Sequence, residues 1–335
     1  MQSTSVVTTN FLERIGKPDS RFHSDYLAYR RGEIGRQELI ARLPHLAMVG
    51  DSVSTGIYIS TPWKTFRRAR KRHYHNWFLD IGLPIKIGSV SRRLEELTPL
   101  VAIHYAGVGA MVDDNNERLW FSRRILGTRN FSGQIDELVS TNRFPDLILV
   151  TIGHNNVDWA WRSPPEELQR PELRLSRLRR TFTNIFAARF RKLLEHARQQ
   201  PRRTAIVVFG LVNFGSYFRG REEVERQRAS DPRLYSHSEK MYEYLISFRP
   251  DYRQSVVRLT EMVNEDLRAM VAEFNRNSVP NVQLRYSDAL ATTDLSRPEL
   301  LHADDGWHAS AQGHRVLAEA AFGDLTPSLE FLGIV

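Results

Sequence analysis

The stretch "HLAMVGDSVSTGIY" (residues 45–58) contains an apolar run, Leu46-Ala47-Met48-Val49, that stops at Gly50, with Asp51 and Ser52 following at once. A short apolar run bounded by glycine reads as a buried strand that ends in a turn. Asp and Ser also favour helix N-termini, where their oxygens accept backbone N–H groups that lack a partner in the helix. Alone, the segment is a strand entering a capped helix. Ser52 acquires a chemical meaning only if partners stand at other strand ends.

Four further stretches read as strands: "LVAIHYA" (100–106), "DLILVTIG" (146–153), "TAIVVFGLV" (204–212) and "NVQLRYSDA" (281–289). Most are continuous apolar runs, as expected of strands covered on both faces. Helical patterns separate them. In 175–194 the residues Leu175, Leu178, Phe182, Ile185, Phe186, Phe190, Leu193 and Leu194 recur at three- and four-residue spacing, and 256–274 repeats the pattern from Val256 to Phe274. "QGHRVLAEAAF" (312–322) is a third candidate helix. Strands alternating with helices predict a three-layer α/β/α fold on a five-stranded, mostly parallel sheet. Such sheets bind ligands outside the carboxyl ends of their strands.

The composition agrees with a globular protein: of 335 residues, 41% are hydrophobic and 26% charged. The absence of cysteine excludes a disulfide framework, a thiol nucleophile and a Cys-based zinc site. The N-terminal residues lack the basic start and continuous apolar core of a secretory signal, and no run is long enough to span a bilayer, so the sequence reads as cytoplasmic. Residues 1–44 read as a helical extension, and 45–335 as one domain with insertions at about 57–98, 156–180 and 214–250. Connections of that length carry structure or function of their own, and 214–250 has the mixed charge and tyrosine content of a lid or a solvated helix. Net charge is +8, nearly all of it arginine, which favours an anionic partner without identifying one.

Each strand end offers one chemical group. Gly107 and Gly109 follow the second strand, where a glycine exposes its N–H and admits a ligand. Asn155 follows Gly153 after the third, and a side-chain amide there can donate to a developing oxyanion. Asp305 and His308 stand three apart before the last helix, close enough for a carboxylate to fix an imidazole's tautomer. Singly, each is as well explained by a tight turn, a capping Asn or a solvated loop.

Together, "GDSVS" (50–54), "HYAGVGA" (104–110), "GHNN" (153–156) and "DGWHASAQGH" (305–314) resemble the four signature blocks of the SGNH hydrolase superfamily, also called the GDSL esterases and lipases. The resemblance spans 45–322. It implies a flavodoxin-like sheet and a serine hydrolase that cleaves carboxylic esters, lipid or small acyl, through an acyl-enzyme and without metal or organic cofactor. Ser52 would be the nucleophile, His308 the general base and then acid, and Asp305 its orienting carboxylate. The oxyanion hole would be the N–H of Ser52, the N–H of Gly109 and the amide of Asn155. Gly109 is preferred to Gly107 because the stretch parallels family segments of the form N-Y-A-x-x-G-A. His104, Asn156 and Ala309 depart from common family residues without removing a group the chemistry needs. The same apparatus could transfer an acyl group or remove acetyl groups from carbohydrates.

Other residues invite rival readings. His302, Asp304, Asp305, His308 and His314 crowd one loop, and such groups can bind zinc, but no second cluster of ligands accompanies them. The run "KTFRRARKRHYH" (64–75) has six basic residues among aromatics and no acid, a footprint suited to an anionic surface or substrate. It lacks any recognised nucleic-acid module, so specific nucleic-acid binding is not expected. His154, Trp159 and Trp307 are candidate pocket walls, although tryptophan is at least as often plain core.

Overall fold

The computed structural model describes residues 4–55, 76–80, 87–113, 129–158, 164–231, 249–277, 279–302, 306 and 308–335. Six strands form one sheet: β1 (Thr4–Val7), β2 (His45–Gly50), β3 (Val101–His104), β4 (Leu147–Thr151), β5 (Thr204–Phe209) and β6 (Val282–Ser287), in the order β1-β3-β2-β4-β5-β6. All adjacent pairs are parallel except β1 with β3. Every residue of β2, β3, β4 and β5 is buried, so side chains on both faces are covered, as the unbroken apolar runs predicted.

The five parallel strands follow the flavodoxin-like order, in which successive connections turn away from β2 on its two sides. β2 is therefore flanked by β3 on one edge and β4 on the other, with Met48 opposite His104 and Gly50 opposite Thr151. The loops leaving these three strands meet at one end of the sheet. Gly50 permits the close pairing there, because a Cβ at this position would lie 2.6 Å from the Thr151 carbonyl oxygen.

The sixth strand corrects the expectation of five. Residues 4–7 pair antiparallel with β3 at the sheet edge, and the Thr8 N–H and hydroxyl both donate to the Leu100 carbonyl. Four residues are too few to show a period of two, so this strand carried no readable signal. The N-terminal extension is helical beyond it, and Phe11, Ile15, Phe22, Leu39 and Leu43 are buried in the same core as the sheet.

The arginine-studded pattern at 175–194 is one long helical run, Pro171–Arg180 and Ala187–Arg198 joined through a π-helical turn at Thr181–Phe186. Single π turns often mark functional sites. Here the turn sets Phe182 against Gly153, where a Cβ would come within 2.8 Å of the ring. The other predicted helices form as Arg253–Asn275 and Ala311–Gly323. The connection after β5 opens with a helix, Phe214–Ser230, while 232–248 lies outside the described residues. No described helix is long and apolar enough to cross a membrane.

Candidate active site

Asp51, not Ser52, caps the turn after β2. Its carboxylate accepts the Val53 N–H at 3.1 Å, and residues Ser52–Ser54 form a single 3₁₀ turn. Ser52 occupies the first position of that turn, nine-tenths buried, with its carbonyl held by the Thr55 N–H and hydroxyl. The strand end itself is clamped by Gln134, whose side-chain oxygen accepts the Gly50 N–H at 2.8 Å while its amide donates to the Gly50 carbonyl at 2.9 Å.

The Gly107 N–H donates to the Gly50 carbonyl at 3.0 Å and is thereby consumed in the turn. Gly109, two residues on, has φ of 69° and stands beside Ala110, whose carbonyl accepts from the Asn155 amide at 2.9 Å. The loop after β3 and the helix start after β4 are thus held together where two oxyanion donors were expected. Asn156 continues the seam by accepting the Val112 N–H at 2.9 Å.

At the end of β4 the backbone turns through Gly153, whose φ of 129° an L side chain rarely adopts. The turn aims two consecutive N–H groups, of Gly153 and His154, at the Asp51 carboxylate, each at 3.2 Å. His154 follows the same carboxylate with its ring. It is 1% exposed, and both of its nitrogens are engaged inside the protein, so the structure puts it beneath the site and not at a pocket wall.

His308 reaches the site from the other end of the chain. Leu301 and Ala309 form an isolated antiparallel bridge, the His302 N–H donates to the His308 carbonyl, and the Gly306 N–H donates to the His302 carbonyl. Gly306, at φ 57°, is the anchor of this stretch. Its carbonyl accepts from the Tyr217 hydroxyl at 2.7 Å and from the Arg221 guanidinium at 3.0 Å, both on helix Phe214–Ser230. Arg221 is itself buried and held by Glu225, which also pairs with Arg253.

Ser52 and His308 line one narrow cavity, about 30 Å3 in volume, together with Val53, Val212, Phe214 and Tyr217. That volume is about enough for one water. His314 borders the same cavity. Its Nδ1 accepts the Trp77 N–H at 3.1 Å, and burial, reinforced by His308 and His302, pushes its pKa down to about 3. His314 is therefore a neutral imidazole. Among the described residues no three His, Asp or Glu side chains are grouped so as to hold a metal ion. Asp304, Asp305, Trp159, Trp307 and the basic run 64–75 lie outside the described residues.

Sequence reasoning missed Gln134, Tyr217 and Arg221. Gln134 had a legible signal, a polar residue on the apolar stripe of Phe131, Ile135 and Leu138. Tyr217 and Arg221 had none, because their target is a backbone carbonyl about ninety residues away.

The family model for GDSL-like lipases and acylhydrolases matches residues 46–321. No curated protein sequence matches significantly. Among solved structures, the extracellular lipase of Streptomyces rimosus is similar at 14% identity and TM-score 0.45, covering 85% of this chain and 99% of that one. Phospholipase A1 from Streptomyces albidoflavus NA297 gives 12% identity and TM-score 0.45, over 85% of this chain and 99% of that one. The M. smegmatis aryl esterase gives 12% and 0.43, over 85% of this chain and all of that one. With a family match over most of its length, on a flavodoxin-like sheet, the chain belongs to the GDSL-like lipase/acylhydrolase family.

Proposed function

We propose that this protein cleaves carboxylic esters with Ser52 as nucleophile, His308 as general base and then acid, and Asp305 as the carboxylate that orients His308. The observation that carries the reading is the cavity shared by Ser52 and His308, two residues 256 positions apart in the chain. A serine hydroxyl is a weak nucleophile until a base takes its proton. In the reaction, His308 accepts that proton as Ser52 Oγ attacks the ester carbonyl carbon. The carbonyl oxygen becomes an oxyanion, bound by the N–H of Ser52, the N–H of Gly109 and the amide of Asn155. Collapse breaks the bond to the alkoxide, which leaves with the proton from His308. Water then attacks the acyl-enzyme, giving up its proton to His308, and the carboxylic acid departs as Ser52 regains its hydrogen.

The oxyanion assignment is supported by two local facts. The N–H of Gly107 is occupied by Gly50, which leaves Gly109 as the glycine donor after β3. The Asn155 amide lies against the 109–110 turn through the Ala110 carbonyl. Val53, Val212, Phe214 and Leu317 are among the cavity walls, so the part of an ester seated directly beside Ser52 meets a small and mostly apolar space.

The test is a panel of p-nitrophenyl esters of graded chain length, assayed beside acetylated sugars and phospholipids. Cleavage of the esters is expected, and Ser52→Ala and His308→Ala should each lower kcat by at least about 10⁴-fold. Full activity in either variant would overturn the reading.

A further inference from the structure

His154 and Asp51 form a buried unit whose geometry exceeds what capping or packing requires. The Asp51 side chain is fully buried and accepts four hydrogen bonds, from the N–H groups of Val53, Gly153 and His154 and from His154 Nδ1 at 3.0 Å. On the far edge of the ring, His154 Nε2 accepts the Val212 N–H at 3.1 Å. An amide N–H donates only to a lone pair, so Nε2 carries none of the ring's hydrogen and Nδ1–H points at Asp51.

The ring therefore ties three strand ends together: β2 through Asp51, β4 through its own backbone and β5 through Val212. The residue after Asp51 is Ser52, the residue after His154 is Asn155, and Val212 lines the cavity. We propose that His154 is a positioning residue that holds Ser52 and Asn155 in register with each other. This rests on the reading of Ser52 as nucleophile. With both nitrogens bonded and its ring buried, His154 does not touch substrate and acts through its two neighbours. Without its bonds, the carboxylate loses a donor and the Val212 N–H is left buried with no acceptor, so the strand ends lose their common reference.

Two replacements separate position from shape. His154→Phe keeps a planar ring and removes both bonds, whereas His154→Gln offers an amide donor and acceptor in their place. With a p-nitrophenyl ester, His154→Phe should lower kcat by about 10²-fold with KM nearly unchanged, the loss expected when reacting groups are misplaced by about an ångström. His154→Gln should recover about tenfold of that. Circular dichroism and Tm are recorded on both, and ¹⁵N-histidine NMR of the native protein reads the tautomer whether or not a variant folds. A His154 Nδ1–H tautomer is expected. The Nε2–H tautomer, or a His154→Phe kcat equal to native while Ser52→Ala is inactive, would overturn the proposal alone. Native activity in Ser52→Ala would instead overturn the nucleophile reading on which it rests.

Discussion

The two sides of the site are built differently. On the side of the proposed nucleophile, Ser52 and Asn155 sit two and four residues beyond the ends of β2 and β4, in turns whose polar groups are satisfied locally, by Gln134, Asp51 and His154, all buried. On the side of the proposed base, His308 follows a stretch that is pinched by the Leu301–Ala309 bridge and tied through the Gly306 carbonyl to a helix formed by residues 214–230. The first arrangement is rigid because the sheet supplies it. The second depends on how a distant helix seats. Groups that must bind a developing charge need fixed positions, whereas a base that moves a proton in both directions tolerates a loop.

Variants on each side probe that contrast. After Ser52 and His308 themselves, the largest effect is expected at Asn155: Asn155→Ala removes a proposed oxyanion donor and should lower kcat by about 10²–10³-fold, read by steady-state kinetics. A loss under tenfold would place the oxyanion elsewhere. Gln134→Leu comes next, acting on stability. It leaves the Gly50 N–H buried without its acceptor, at about 1–3 kcal/mol, while the Gly50 carbonyl keeps the Gly107 N–H, and urea unfolding should show the midpoint lowered. On the base side, Arg221→Met leaves Tyr217 alone on the Gly306 carbonyl. It should cost about tenfold in kcat with little loss of stability, the reverse of Gln134→Leu. Equal loss of stability from both would erase the distinction between the two sides.

The smallest effect concerns acid. His45, at the start of β2, is buried beside Arg143, and the burial holds its pKa down at about 4. A histidine with a lowered folded pKa binds fewer protons folded than unfolded, so stability rises with pH across that window. It is fully present above about pH 6.5 and is lost as pH falls toward 4. His314 adds the same sign. His45→Gln should therefore make the dependence of stability on pH between 6.5 and 4 shallower, by up to about 1 kcal/mol per pH unit. An unchanged slope in thermal or urea unfolding would remove His45 from the account.

Much of this was legible in the chain. The unbroken apolar runs gave four strands near their observed bounds because strands covered on both faces leave no polar interruption, and 281–289 gave the fifth despite Gln283 and Arg285, which lie on the partly buried edge strand. Ser52, Gly109, Asn155 and His308 were singled out because each follows a strand or precedes a helix, where the fold class puts ligands, and Ser52 and His308 do line one cavity. The edge strand at 4–7 was too short to register. Asp51 was read as one of two capping candidates, and nothing in the order of residues reveals that its carboxylate takes bonds from a turn a hundred residues away. His154 was read as a pocket wall because polarity beside a catalytic block suggests contact with ligand, whereas its hydrogen bonds turn it inward. Arg221 illustrates the remaining limit: a side chain that recognises backbone leaves no complementary residue type to look for.

The most direct measurement is covalent. The native protein, treated with a fluorophosphonate and analysed by intact mass and peptide mapping, should carry one adduct, on Ser52, that is absent from Ser52→Ala and slow to form in His308→Ala. An adduct on another residue, or none while ester cleavage proceeds, would contradict the assignment of Ser52 and His308 as nucleophile and base.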